Sequence, residues 1–197
     1  MYDFYAASKL PGAIDAIDCT HIPIQSPGGD DGEIYRNRKG YFSINVQLMC
    51  DQQYYVSDAV ARWPGSVHDS TIFDHCRPCA ELENHQLGEG YFVGDGGYTC
   101  RRYVLTPLSN LLTEPEKAFN RAQISARNCI ERTNGILKYR FPALKYGLRV
   151  RVDNALPVTM AKVVLHNSAV MVGEEDAPHD LGKSCISLWP ASTTGYA

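Results

Sequence analysis

Residues 13–24, Ala-Ile-Asp-Ala-Ile-Asp-Cys-Thr-His-Ile-Pro-Ile, constrain the fold more than any other stretch of this chain. The segment is rich in apolar and β-branched residues and reads as a strand. On a period of two its even positions are Ile14, Ala16, Asp18, Thr20, Ile22 and Ile24, so Asp18 falls on a face that is otherwise mostly apolar. A bare carboxylate there is costly unless it is paired, hydrogen-bonded or bound to a metal. Asp18 is therefore either a structural acid held by backbone amides or an arginine, or an acid that faces a cation. Asp15, on the opposite face, is expected to be solvated.

Around this strand the sequence reads as an α/β domain. Pro11-Gly12 closes a short lead over residues 1–12, and Pro27-Gly28-Gly29-Asp30-Asp31-Gly32 reads as a turn. Ser43 to Cys50 and Tyr54 to Ala61 are further strands, and Trp63-Pro64-Gly65-Ser66 breaks the pattern. Asp69 to His75 begins a helix, Tyr91 to Gly94 is a short buried strand, and long helices cover about 120–141 and 156–172. The polar Pro/Gly/Ser/Thr-rich stretch 173–197 reads as a flexible tail. Strands first and helices later imply a mixed sheet with helices packed on it. Trp63 and Phe73 are expected in the core.

Two more acids stand where a plain surface reading is strained. Asp95 follows an apolar strand directly and precedes Gly96-Gly97. Ligands collect just beyond the carboxyl ends of strands in open α/β sheets, and glycines allow close approach there, although a simple turn explains the same residues. In the helix, Ala122, Ala126, Cys129, Ile130, Thr133, Ile136 and Leu137 form a core stripe. Glu131 lies beside it, in line with Arg127, Asn134 and Lys138. It either pairs with Arg127 at the surface or belongs to a site. Gly135 costs about 1 kcal/mol relative to Ala in a helix interior, so something is expected to pack closely against it. Three acids from two strands and a helix suit two-metal phosphoryl transfer. Hard cations such as Mg²⁺ or Mn²⁺ take carboxylate oxygens, and a pair of them can activate water and stabilise a leaving oxygen.

Charge supports a polyanionic partner. Met1 to Glu116 holds 8 Lys/Arg against 16 Asp/Glu, whereas Lys117 to Arg151 holds 9 against 1. A basic stripe facing phosphate and a solvated helix face both explain this. No apolar run reaches the ~18 residues of a membrane span, and no secretory signal is visible, so the seven cysteines are expected as reduced thiols. Cys76-x-x-Cys79 with His75 and His85 nearby is at most half a zinc site, and His68 reads as a hydrogen-bonded loop histidine.

These residues carry a resemblance. Gly12 to Ile24 resembles the "G-AIDGTHI-I" opening of the PIF/Harbinger transposase superfamily, and Tyr35 to Asn45 its "Y-NRKG--S-N" segment. Trp63 to Ser70 is similar to its "PGS-HDS" element and Gly94 to Tyr98 to its "GDSGY". Phe119 to Ala122, Ile130 to Lys138 and Leu165-His166-Asn167 match "FN-AH", "IER-FG-LK" and "LHN". The resemblance spans about residues 12–172 and implies an RNase H-like mixed sheet flanked by helices, the DDE endonuclease core, over residues 13–172. It implies a catalytic triad of Asp18, Asp95 and Glu131, with Asp69 as an additional metal-associated acid and Mg²⁺ or Mn²⁺ as cofactor. Asp95 and Glu131 are separated by 35 residues, a spacing typical of DDE enzymes.

The implied chemistry is hydrolysis of DNA phosphodiester bonds. The implied setting is the nucleus, and also the cytoplasm, with a Myb-like DNA-binding partner. No membrane role is expected, and a homo-oligomer is compatible with the family. Arg36, Arg38, Lys39, Arg127, Arg132, Lys138 and Arg140 are the candidates for DNA-backbone contacts. The chain departs from the pattern at Asp15 and Cys19, where glycines are common, and at Gln123, where a histidine is usual. The resemblance implies a helical region before the domain that this sequence does not show, so the chain is expected either to be N-terminally truncated, with residues 1–12 the end of a longer lead, or to have lost a dedicated DNA-reading module. The alternative is a domesticated, catalytically inactive DNA- or protein-binding module that keeps the fold.

Overall fold

A meander of three antiparallel strands builds one half of the sheet. In this computed structural model, which describes residues 4–29, 31–84, 86 and 90–174, they are β1 (Ala13–Pro23), β2 (Ser43–Cys50) and β3 (Val56–Pro64). Two short strands, β4 (Tyr91–Val93) and β5 (Val104–Leu105), extend the sheet on the far side of β1 with parallel pairing. The order is β3-β2-β1-β4-β5, so β1 is central and antiparallel to one neighbour but parallel to the other. The expected RNase H-like mixed sheet is present. The expected tail lies outside the described residues from position 175 onward.

Helices cover both faces, as a sheet with two apolar faces requires. On one face α4 (Glu114–Arg140) and α6 (Val152–Met171) pack with the short α1 (Phe4–Ser8) and α5 (Pro142–Tyr146) over Ala16, Ile22, Ile44, Val46, Leu48 and Val93. On the other, α2 (Asp69–Asp74) and α3 (Arg77–Glu83) cover Ile17, Met49, Phe92 and Val104. The α4 stripe lies inward as its period requires: Ala126, Cys129, Ile130, Thr133, Ile136 and Leu137 are all buried. Fully burying Ile130 or Leu137 is worth about 1.5–3 kcal/mol each, which fixes this helix across β1.

Several expectations are corrected. α4 starts at Glu114, well before 120, because Thr113 and Glu116 form a reciprocal capping box: Glu116 Oε2 accepts from Thr113 N at 2.7 Å and Thr113 Oγ1 from Glu116 N at 3.4 Å. β3 runs through Trp63 and Pro64 instead of ending before them, and Trp63 is half-buried, edge-on to His75. The β1–β4 register slips between Ala13 and Asp15, which sends Ile14 to the α2/α3 side, away from the other even positions. Asp15 is half-buried instead of freely solvated. Ser57 Oγ donates to its Oδ2 at 2.5 Å, and burial, with Asp51 and Asp58 nearby, pushes its carboxyl up to about 6.

Candidate active site

The pairing of β1 with β4 places the first two acids. Ala16 lies opposite Val93 in a parallel ladder, and both belong to the core under α4. Asp18 comes two residues beyond Ala16 on β1, and Asp95 two residues beyond Val93, just after β4 has ended; the Asp95 charge acts on Asp18. Gly94 N donates to Leu105 O, and buried Gln123 of α4 donates Nε2 to Gly94 O at 2.6 Å, so the β4 end is clamped just before Asp95. Gln123 thus does a fixed structural job at the position where the family pattern has histidine.

The glycines after Asp95 differ in kind. Gly97 N donates to Asp95 Oδ1 at 2.8 Å. A Cβ on Gly97 would stand 2.9 Å from Asp95 Oδ1 and 3.1 Å from Asp69 Oδ2, so those two oxygens can be no further apart than these distances together. A side chain there would force the carboxylates to move, whereas Gly96 meets nothing within 4 Å. Asp69 opens α2 and is held from the sheet by Asn45, whose Nδ2 donates to Asp69 Oδ1 and to Val67 O, both at 3.0 Å. Asp18, Asp95 and Asp69 therefore come from β1, the loop after β4 and the start of α2, and the charges of Asp95 and Asp69 both act on Asp18.

Electrostatics ties the cluster together. Burial pushes the Asp18 carboxyl from 3.8 up to about 7, the Asp95 and Asp69 charges add to the rise, and Arg127 opposes it. Asn134 Nδ2 donates to Asp18 Oδ2 at 3.0 Å. Cys19 Sγ lies 3.2 Å from Tyr98 Oη, and burial together with Asp69 holds its thiol well above the ordinary range. Glu131, on α4, is 49% exposed and pairs with Arg127 Nη2 at 2.5 Å. The surface-pair reading of Glu131 is thus realised, but its partner is the cation that also acts on Asp18. Arg127 is only 18% exposed, and its Nε is buried without a hydrogen-bond acceptor.

This donor set fits a hard divalent cation in a specific sense. Among the described residues no three acidic, histidine or cysteine side chains are grouped closely enough to hold a metal between them. Asp18 and Asp95 are, however, carboxylates that act on one another: after burial, the Asp95 charge is the largest influence raising the Asp18 proton affinity, ahead of the opposing Arg127. Magnesium-type ions are commonly held by one or two carboxylates plus substrate phosphate and water, so a pair suffices. Asp69 is close enough to add its charge, whereas Glu131 reaches the cluster through its pairing with Arg127.

The seven basic candidates separate into three groups. Arg38, Lys39 and Lys138 all act on His21, whose imidazole is held below its usual range first by burial and then by these cations, against the pull of Asp69. Lys138 Nζ donates to Thr20 Oγ1 at 2.6 Å and to His21 O at 3.1 Å, beside Asp18 on β1. Arg127 belongs to the acid cluster. The other three are engaged within the fold. Arg36 forks onto Glu33, donates to Gly40 O at 2.8 Å and stacks on Phe42. Arg132 lies over the Tyr54 ring, and Arg140 reaches buried His166 at 2.9 Å.

Other candidates recede. Cys76 and Cys79 are buried in the α2/α3 core and described as free thiols, while His85 lies outside the described residues. His68 stands at the start of α2 without a side-chain capping bond. Nothing packs against Gly135: a Cβ there would meet no described atom within 4 Å, contrary to the close contact its cost suggests. Asn45 and Tyr98 carry no charge signal in the sequence, so composition could not single them out. Asn134 was in line with Glu131, but its bond to Asp18 depends on how α4 crosses β1.

Comparisons with known proteins show which family the chain resembles. Residues 17–167 match the family model described as "DDE superfamily endonuclease". The chain is 30% identical to the rat protein named "Putative nuclease HARBI1" over 98% of this chain and 52% of that protein. It is 32% identical to the mouse protein of the same name over 84% and 48% respectively. An Arabidopsis thaliana protein named "Protein ALP1-like" is 25% identical over 90% and 47%. The chain therefore spans about half the length of the curated relatives it matches. No solved structure matches it.

Proposed function

The chain belongs to the DDE superfamily endonucleases, and from that premise we propose that it is a transposase-derived nuclease that hydrolyses DNA phosphodiester bonds with Mg²⁺ or Mn²⁺. The observation that carries the reading is the parallel register of β1 and β4, which aligns Asp18 with Asp95 at an open strand end while Asp18 holds its proton up to about 7. Asp18 and Asp95 would hold the cations, with Asp69 and Glu131 completing the acidic site. When bound, such ions lower the proton affinity of an attacking water and stabilise the leaving oxygen.

The chain's own residues prepare the rest. Asn134 orients Asp18, Gly97 N–H fixes one Asp95 oxygen, and Gln123 keeps the end of β4 in register. Lys138, Arg38 and Lys39 hold the phosphates of the bound strand beside His21. Arg127 neutralises Glu131 and part of the Asp18 charge. A separate DNA-reading partner and a nuclear setting belong to the same proposal through the family resemblance.

The Arg127–Glu131 pair also favours a second reading, a domesticated DNA- or protein-binding module in which Glu131 stays neutralised. Nicking of supercoiled plasmid with Mg²⁺ or Mn²⁺ separates the two. The nuclease reading expects metal-dependent nicking by the wild type that Asp95→Asn loses. Equal nicking by both proteins traces the activity to a contaminant and overturns it.

A further inference from the structure

Along α4, Arg127, Glu131, Gly135 and Lys138 follow one another at one turn after another, beside Asn134, which donates to Asp18. Three of these carry long side chains committed to the site or its rim. The fourth has none. Gly135 sits mid-helix, where glycine is a poor helix former, and nothing in the fold demands it there. It does not have the positive φ that marks several other glycines of the chain, and a Cβ built on it would meet no described atom within 4 Å. Gly97 offers the contrast, since there a side chain would strike two carboxylates. The fold therefore tolerates a side chain at 135 and would be stabilised by one, yet a gap is left open on the helix surface between the turns that carry Glu131 and Lys138.

We propose that this gap seats the sugar-phosphate backbone of the DNA strand next to the scissile bond, which makes Gly135 a substrate-contact position of the endonuclease site. The inference rests on the nuclease reading above and adds a steric element to it. The strand crosses α4 at 135, with its phosphate drawn by Lys138 and its reacting neighbour carried toward Asp18 and Asp95. A side chain at 135 lifts the strand off the helix and away from the acids. A lift of this kind acts on strand binding and positioning and leaves the metal-holding carboxylates as they are.

The test is a size series, Gly135→Ala and Gly135→Leu, in the full chain. Both replacements are strong helix formers entering open space, so both variants melt higher than the wild type. The kcat/KM for nicking of a DNA duplex with Mn²⁺ falls about tenfold for Ala and on the order of a hundredfold for Leu, the scale of a displacement near 1 Å at a reacting centre. Duplex affinity weakens in the same order, while calorimetric binding of Mn²⁺ alone is unchanged. If both variants melt higher and nick like the wild type, the gap has no part in DNA binding and the proposal falls, with the nuclease reading intact. If the variants melt lower, the space is not open and the proposal falls equally. If the wild type neither binds nor nicks DNA, the nuclease reading fails and takes the seat with it.

Discussion

Replacing Asp18 by Asn should make the metal-free protein more stable at alkaline pH while removing its activity. The Asp18 carboxyl titrates at about 7 in the fold against 3.8 in the unfolded chain, because burial and the charges of Asp95 and Asp69 disfavour the ionised form. A group whose proton affinity is raised by folding contributes fully below its unfolded value and loses that contribution as pH rises through its folded value. Wild-type stability from this group is therefore complete below pH 3.8 and drains away up to about pH 7. At about 1.4 kcal/mol per tenfold change in proton affinity, the ceiling on the loss is about 4 kcal/mol. Asn stays neutral throughout and can still accept from Asn134. Urea denaturation of both proteins in chelator between pH 4 and 8 isolates the effect, since all other groups titrate in both. The stability difference should grow with pH in favour of Asp18→Asn, and added Mn²⁺ should stabilise only the wild type. A variant less stable than the wild type at pH 8, or a difference that does not change with pH, refutes the reasoning.

Two further outcomes follow from individual side chains. Gln123→Leu leaves the buried Gly94 carbonyl without its Nε2 donor and should cost about 1–3 kcal/mol in thermal unfolding together with most of the nicking activity, whereas Gln123→His retains a ring N–H and should keep much of both. In duplex binding measured against salt, Lys138→Ala should flatten the log–log slope by about one, while Arg36→Ala should leave it unchanged, because the Arg36 guanidinium is committed to Glu33 and Gly40.

What the sequence made legible was periodic or charged. β2 lies at Ser43–Cys50, where its β-formers place it, and the buried side of α4 is the expected stripe. Asp18 on an apolar face was the informative anomaly, and its raised proton affinity is the physical cost that the pattern implied. Features set by one local event escaped. A period of two cannot register the slip that turns Ile14 over, and parity assigns Asp15 to a face without saying that Ser57 and two other acids wait there. The start of α4 was written in Thr113-Glu114-Pro115-Glu116, a capping signal weaker to the eye than the apolar stripe that follows. Charge counting grouped Arg36, Arg132 and Arg140 with Lys138, but a guanidinium's partners depend on the tertiary fold, which gives these three Glu33, Tyr54 and His166. Gly135 is the inverse case: its helix cost was readable, while the emptiness around it was not.

The central claim is that Asp18 and Asp95 together hold a divalent cation. Anomalous scattering from crystals of the protein grown with Mn²⁺ tests it directly. The account predicts a manganese peak in contact with both carboxylates, with Arg127 still paired to Glu131. Crystals whose manganese binds elsewhere, leaving Asp18 and Asp95 free of an ion, would contradict it.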